Sequence, residues 1–171
     1  NIIFFHLKVL AVGASLRELE WWREINTLIE NFNIDYLNCS SRNFNNCHNL
    51  RNYAKELKNY SPSINARHNI PLPHLIHEHN LYPSYSYRKL AIKYEVHLRA
   101  YEKFFSKNNY NFIILENGGF IFINSLLTFA KKSKIPIIFL EGSDEANKFF
   151  VFLNNKGPNL KYAIKTTIRI N

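Results

Sequence analysis

The chain has 171 residues, 46% of them hydrophobic and 20% charged, and carries a formal net charge of +9. That is enough chain for one domain with a real core, and its composition is that of an ordinary soluble globular protein. No apolar run reaches membrane-spanning length, which excludes a transmembrane helix.

The positive excess falls almost wholly in residues 61–171 and is spread out, not packed into one run. Such a surface suits anionic partners: a nucleotide-linked donor, phospholipid headgroups or nucleic acid. A solvated basic face accounts for it equally well. Cys39 and Cys47 have seven residues between them. This is not zinc-ligand spacing, and a chain of this size needs no disulfide staple. They read as reduced thiols in a cytoplasmic protein. The chain contains no Met, which points to a processed or excised start. Its opening, NIIFFHLKVLAVGAS, is interrupted by His6 and Lys8 and has no basic leader, so it reads as a strand and not as a secretion signal.

Strand one is expected over Ile2–Val12, with Gly13-Ala14-Ser15 as its turn. Ser15 is a good N-cap, and Glu18 three residues later completes a capping box. The helix that follows is expected to reach about Phe32. Leu16, Leu19, Trp22, Ile25, Ile29 and Phe32 form its apolar stripe. Core packing is the expected use of Trp21 and Trp22. Ile34–Cys39 reads as strand two and closes a first β-α-β unit. Its turn lacks the GxGxxG pattern, which argues against a standard dinucleotide site.

Asn43–Asn49 reads as loop and Asn49–Tyr60 as a helix. Residues 61–86 hold four prolines and are expected to form a long irregular insertion, on the acceptor side. His68, His74, His77 and His79 gather there with Glu78, but no HxxxH or HExxH spacing is present, so no metal site is expected. Tyr87–Phe105 reads as an amphipathic helix with Tyr87, Leu90, Tyr94, Leu98, Tyr101 and Phe105 on one stripe. Arg88, Lys89 and Lys93 lie mostly off that stripe and suit solvent, or an anionic surface.

The stretch Phe112–Gly142 carries the functional expectation. Phe112–Leu115 reads as a buried strand, Ile121–Lys132 as a helix, and Ile135–Leu140 as a second buried strand. A crossover of this length implies a parallel pair. Glu116-Asn117-Gly118-Gly119 and Glu141-Gly142 are expected to break the two strands at their carboxyl ends, where open α/β sheets bind ligands. The turn at Asn117-Gly118-Gly119 offers backbone N–H groups to phosphate, carboxylate or sugar hydroxyls. Glu116 and Glu141, at equivalent strand ends, could serve as base and orienter toward a hydroxyl, or equally hold loop N–H groups. Phe149–Leu153 reads as a strand, and Tyr162–Ile170 as a half-buried edge strand. The fold expected is α/β: a single Rossmann-like three-layer domain over residues 1–171 with a mainly parallel sheet.

Asn117-Gly118, Ile135-Pro136, Glu141-Gly142 and Gly157/Asn159 together resemble the capsule polysaccharide synthesis family, which includes bacterial capsular glycosyltransferases acting with Kdo. Asn154 or Asn155 stands where an Asp is expected, and Ser143-Asp144-Glu145 replaces a Pro-bearing turn. The resemblance implies the N-terminal, acceptor-side lobe of a GT-B-like enzyme. It implies Glu141 as the catalytic residue, with Ser15, Glu116, Asn117, Gly118, Gly119 and Gly142 binding substrate. A nucleotide-sugar donor such as CMP-Kdo would bind a second lobe that these residues do not include, so no cofactor is expected on this one. The implied partners are a lipid-linked or glycan acceptor, a second lobe or partner chain, and an anionic membrane surface, with the protein cytoplasmic or peripheral to the inner membrane. The alternative is a non-catalytic Rossmann-like binding module for a nucleotide or anionic glycan. Nucleic acid is not an expected partner, because no RNA-binding motif accompanies the charge and the tyrosines.

Overall fold

The structure is a computed structural model that describes residues 7–13, 17–20, 22–23, 32–40, 42–57, 72–115, 121–142 and 149–153. Its centre is a six-stranded sheet in the order β3-β2-β1-β4-β5-β6. In chain order these are β1 (Leu7–Gly13), β2 (Phe32–Asn38), β3 (His48–Asn49), β4 (Phe112–Leu115), β5 (Ile137–Gly142) and β6 (Phe149–Leu153). The first five are parallel, and β6 pairs antiparallel to β5 at the edge. Helix α1 is described at residues 17–20 and 22–23. It is followed by α2 (Leu50–Lys55), α3 (Leu72–Leu81), α4 (Tyr87–Lys107) and α5 (Ile121–Ser133). The expected α/β Rossmann-like architecture with a mainly parallel sheet is the one observed.

Alternation along the strands decides which helix goes to which face. Leu10, Val12, Ile113, Leu115, Ile137 and Phe139 point to one side and are buried against α4 and α5. Val9, Ala11, Ile114 and Leu140 point to the other, where Leu19 and Trp22 of α1 cover them. Trp22 is therefore a core residue, as its stripe position predicts. Trp21 lies outside the described residues.

Helix α4 begins at Ser86, whose Oγ accepts the Lys89 N–H at 3.2 Å. Leu90, Tyr94, Tyr101, Phe104 and Phe105 are buried along its inner side. Phe104 is the hub of an aromatic cluster, with ring centroids 5.2 Å from His48 and Tyr53, 5.1 Å from Phe105 and 5.9 Å from Tyr110. Below it, at the amino ends of the strands, Tyr110 donates to Asp35 Oδ2 at 2.8 Å, and Lys8 Nζ meets the same oxygen at 3.2 Å. Cys39 and Cys47 are free thiols. Cys39 Sγ lies 3.2 Å from the Tyr101 hydroxyl, and burial pushes that thiol up to about 12, so it is inert as a nucleophile.

Several boundaries differ from the sequence-based expectation. Gly13 is in β1, paired with Asn38, and Phe32 opens β2 instead of ending a helix. His48–Asn49 adds a short strand where only loop was expected. The irregular insertion expected over residues 61–86 contains α3, because Pro73 falls in the first turn of that helix, where a missing N–H costs little. Strand β5 starts after Pro136 and continues through Glu141 and Gly142, because β6 supplies a ladder there. The expected edge strand Tyr162–Ile170, the turn at 143–145, and Gly157 and Asn159 lie outside the described residues.

Two outcomes test this packing. Phe104→Ala should lower unfolding stability by about 3–5 kcal/mol, read from urea denaturation. His97 is the second probe. Burial, with the Lys93 charge adding to it, holds its imidazole down to about 4, and Nδ1 is buried with no partner among the described residues. The folded value lies below the ordinary 6.5, so the unfolded chain takes the proton first. Stability should therefore fall as pH drops from 6.5 to 4, by at most about 3 kcal/mol. Urea midpoints of the protein and of His97→Leu across that window check it: the variant should lose this part of the slope.

Candidate functional site

The two β-α-β units lie on opposite faces. β1-α1-β2 carries its helix on one side, and β4-α5-β5 carries its helix on the other. The strand order consequently reverses between β1 and β4. At such a reversal the crossovers lead away in both directions from the carboxyl ends of the two central strands. Those ends are Gly13 and Leu115, with Val12 paired to Leu115. Residues 14–16 leave from the first and 116–120 from the second.

Gly13 is required by close approach. A Cβ there would stand 2.9 Å from Glu18 Oε2, 3.1 Å from Glu18 Cβ and 3.5 Å from Leu19 Cδ2. The first described turn of α1 thus rests directly over the end of β1, which brings that helix terminus to the sheet edge. Neighbouring β2 ends in a polar lock. Asn38 is fully buried; its Oδ1 accepts the Ser40 N–H at 2.8 Å and its amide donates to the Arg42 carbonyl. Asn49 caps α2 by accepting the Arg51 N–H at 2.9 Å, and donates to the Arg42 carbonyl at 3.1 Å and to Asn43 Oδ1 at 2.9 Å. The Cys39 N–H returns to the Gly13 carbonyl at 2.9 Å. This side of the edge is closed by its own side chains.

On the β4 side the helix terminus already holds a carboxylate. The Ile121 N–H at the start of α5 donates to Glu78 Oε2 at 3.2 Å, and Glu78 is only 4% exposed. Helix N-termini attract anions through their free N–H groups and dipole, and here α3 supplies one. Glu78 thus serves the start of α5. His79 turns its Nδ1 to the Tyr85 carbonyl at 2.9 Å and stacks on Tyr87 at 4.4 Å. His74 and His77 both fall within α3, and His68 lies outside the described residues. Among the described residues no group of three or more His, Cys, Asp or Glu could hold a metal ion.

Of the residues expected at the site, Ser15, Glu116, Asn117, Gly118 and Gly119 lie outside the described residues. Glu141 and Gly142 do not break β5: they pair with Phe150 and Phe149 of β6. Leu115 pairs with Phe139, so Glu141 stands two residues beyond that pair and inside β5, and does not close the strand as expected. Strand β5 overhangs the last β4 pair through Leu140, Glu141 and Gly142. Gly13 and Glu78 were not among the expected site residues. Gly13 was readable as a turn glycine after a strand, whereas nothing in the sequence joins Glu78 to a helix that starts 43 positions later.

An open hollow of about 450 Å³ lies at the opposite, amino end of the sheet, floored by Phe105, Tyr110, Phe129 and Ile135. It stands away from the carboxyl ends of both central strands. Compared with known proteins, the chain matches no family model, no curated protein and no solved structure.

Removing the Glu78 carboxylate should leave the Ile121 N–H buried and unpaired. Glu78→Ala is expected to cost about 1–3 kcal/mol and to speed hydrogen exchange at Ile121 well before the core strands exchange. Unchanged exchange there would show that the bond contributes nothing.

Proposed function

We propose that this chain is the acceptor-side lobe of a glycosyltransferase acting in capsular or other cell-surface polysaccharide assembly, and that it binds glycan at the β1/β4 edge. The observation that carries the reading is the strand-order reversal between β1 and β4. It sets the carboxyl ends of β1 and β4 side by side, and the chain segments that follow them hold Ser15, Glu116, Asn117, Gly118 and Gly119. Backbone N–H groups and an Asn amide are suited to sugar hydroxyls. The carboxylate of Glu78 at α5 favours uncharged hydroxyls over a phosphate beside that terminus, since a second anion would be repelled. Glu141, on the overhanging end of β5, is the residue assigned to orient an acceptor hydroxyl. The donor, a nucleotide sugar such as CMP-Kdo, belongs to a second lobe.

The other reading is a non-catalytic module that binds a nucleotide or anionic glycan at the first βα turn. Gly13 bears on it, because α1 closes on bare backbone at the end of β1 with the Glu18 carboxylate against it, which suits the hydroxyl groups of such a ligand and not its phosphate.

Amide chemical-shift titrations with a Kdo-terminated oligosaccharide, and separately with CMP, distinguish the two. The acceptor-lobe reading expects saturable shifts with the oligosaccharide at Gly13, Leu115 and Leu140, weakened about tenfold by Asn117→Ala. Shifts at Gly13 with CMP alone support the binding module. Silence with both ligands sinks both readings.

A further inference from the structure

The described surface concentrates its exposed apolar side chains in one place. Six large hydrophobic residues are exposed, and all but Leu7 lie between residues 76 and 92. Ile76 (43%), Leu81 (47%) and Tyr82 (46%) come from the end of α3 and the turn after it, and Tyr87 (44%) and Ile92 (37%) from the start of α4. Isolated exposed hydrophobics are unremarkable, but a cluster of this kind marks an interaction surface.

The charges on the same hairpin have one sign. Arg88, Lys89 and Lys93 belong to it, with Lys89 Nζ and Lys93 Nζ at 4.2 and 4.4 Å from the Tyr85 ring centroid. The single acid of the segment, Glu78, is buried against Ile121. The positive end of the α4 dipole adds to them. We infer that the exposed face of the α3–α4 hairpin docks on an anionic phospholipid surface, with its aliphatic and tyrosine side chains at headgroup depth and its lysines and arginine on the phosphates.

Two features favour lipid over single-stranded nucleic acid. Ile76, Leu81 and Ile92 present no plane on which a base could stack, and the Tyr85 face is already covered by two ammonium groups. The hairpin is also built before any partner arrives. Tyr82 N–H donates to the Glu78 carbonyl at 3.0 Å and Tyr85 N–H to the Tyr82 carbonyl at 2.9 Å. His79 holds the Tyr85 carbonyl from α3, and Leu90 and Tyr94 pack with Ile121 beneath. Docking therefore orders little chain. No helix among the described residues is long and apolar enough to cross a membrane, so contact by this face is peripheral. The hairpin lies by the start of α5, at the end of the sheet that carries the carboxyl ends of β1 and β4. A lipid-linked substrate could reach them without leaving the interface. The inference rests on this surface and not on the glycan reading: glycan binding can fail while lipid binding holds, and the reverse.

Flotation with vesicles is the test. The protein should float with vesicles of phosphatidylcholine mixed with phosphatidylglycerol, should not float with phosphatidylcholine alone, and should be released by salt. Arg88→Gln/Lys89→Gln/Lys93→Gln should weaken binding about a hundredfold. Leu81→Ser/Tyr82→Ser/Ile92→Ser should weaken it at least about tenfold with an unchanged urea midpoint. Lys131→Gln/Lys134→Gln, at the far end of α5, should bind as the parent does. The proposal is overturned if the parent protein ignores anionic vesicles, or if the serine variant floats as well as the parent. It is equally overturned if vesicles fail while oligouridylate binds and loses its binding in the same variants.

Discussion

The placement of the two crossover helices on opposite faces of one sheet governs the rest of the molecule. A parallel pair must be joined by a crossover, and the crossover must bury its apolar stripe on the face it passes. Leu10 and Val12 face α4 and α5 while Val9 and Ala11 face α1, so β1 is apolar on both sides and can only be central. With β1 fixed there, the first unit builds outward through β2 and β3, and the second through β4, β5 and β6. The adjacent carboxyl ends of β1 and β4, at Gly13 and Leu115, are a consequence of that geometry, not a separate feature.

Helix α3 is tied into this plan by one buried carboxylate. Burying Glu78 would be costly without a donor, and the Ile121 N–H would be costly without an acceptor. Each resolves the other's problem. The result is a fixed α3–α4 hairpin beside the start of α5, and the anion that this helix terminus would attract is already present.

Much of the architecture was legible because periodicity reports burial. Phe112–Leu115 was readable as a strand since an unbroken apolar run suits a site buried on both faces, and the stripe through Leu90, Tyr94 and Tyr101 was readable as α4. Trp22 followed from its place on the α1 stripe. The parallel relation of β4 and β5 followed from the length of the crossover between them. What escaped were features set by distant partners. His48–Asn49 is too short to show a period, and is a strand only because Leu37 and Asn38 lie beside it. Glu141-Gly142 looks like a break, yet it is laddered by Phe149 and Phe150. The prolines and histidines before residue 82 suggested loop chemistry, although Pro73 lies in the first turn of a helix.

The sequence by itself determined the α/β class, the crossovers and the two-sided burial of the central strands, because these follow from local apolar spacing and element length. Only the tertiary structure decided the strand order, the pairing of Glu141-Gly142 with β6, the close approach of α1 over Gly13 and the capture of α5 by Glu78. Each of these is a pairing across sequence distance, and local spacing holds no information about which distant residue will satisfy a given backbone group or lie level with a given strand end.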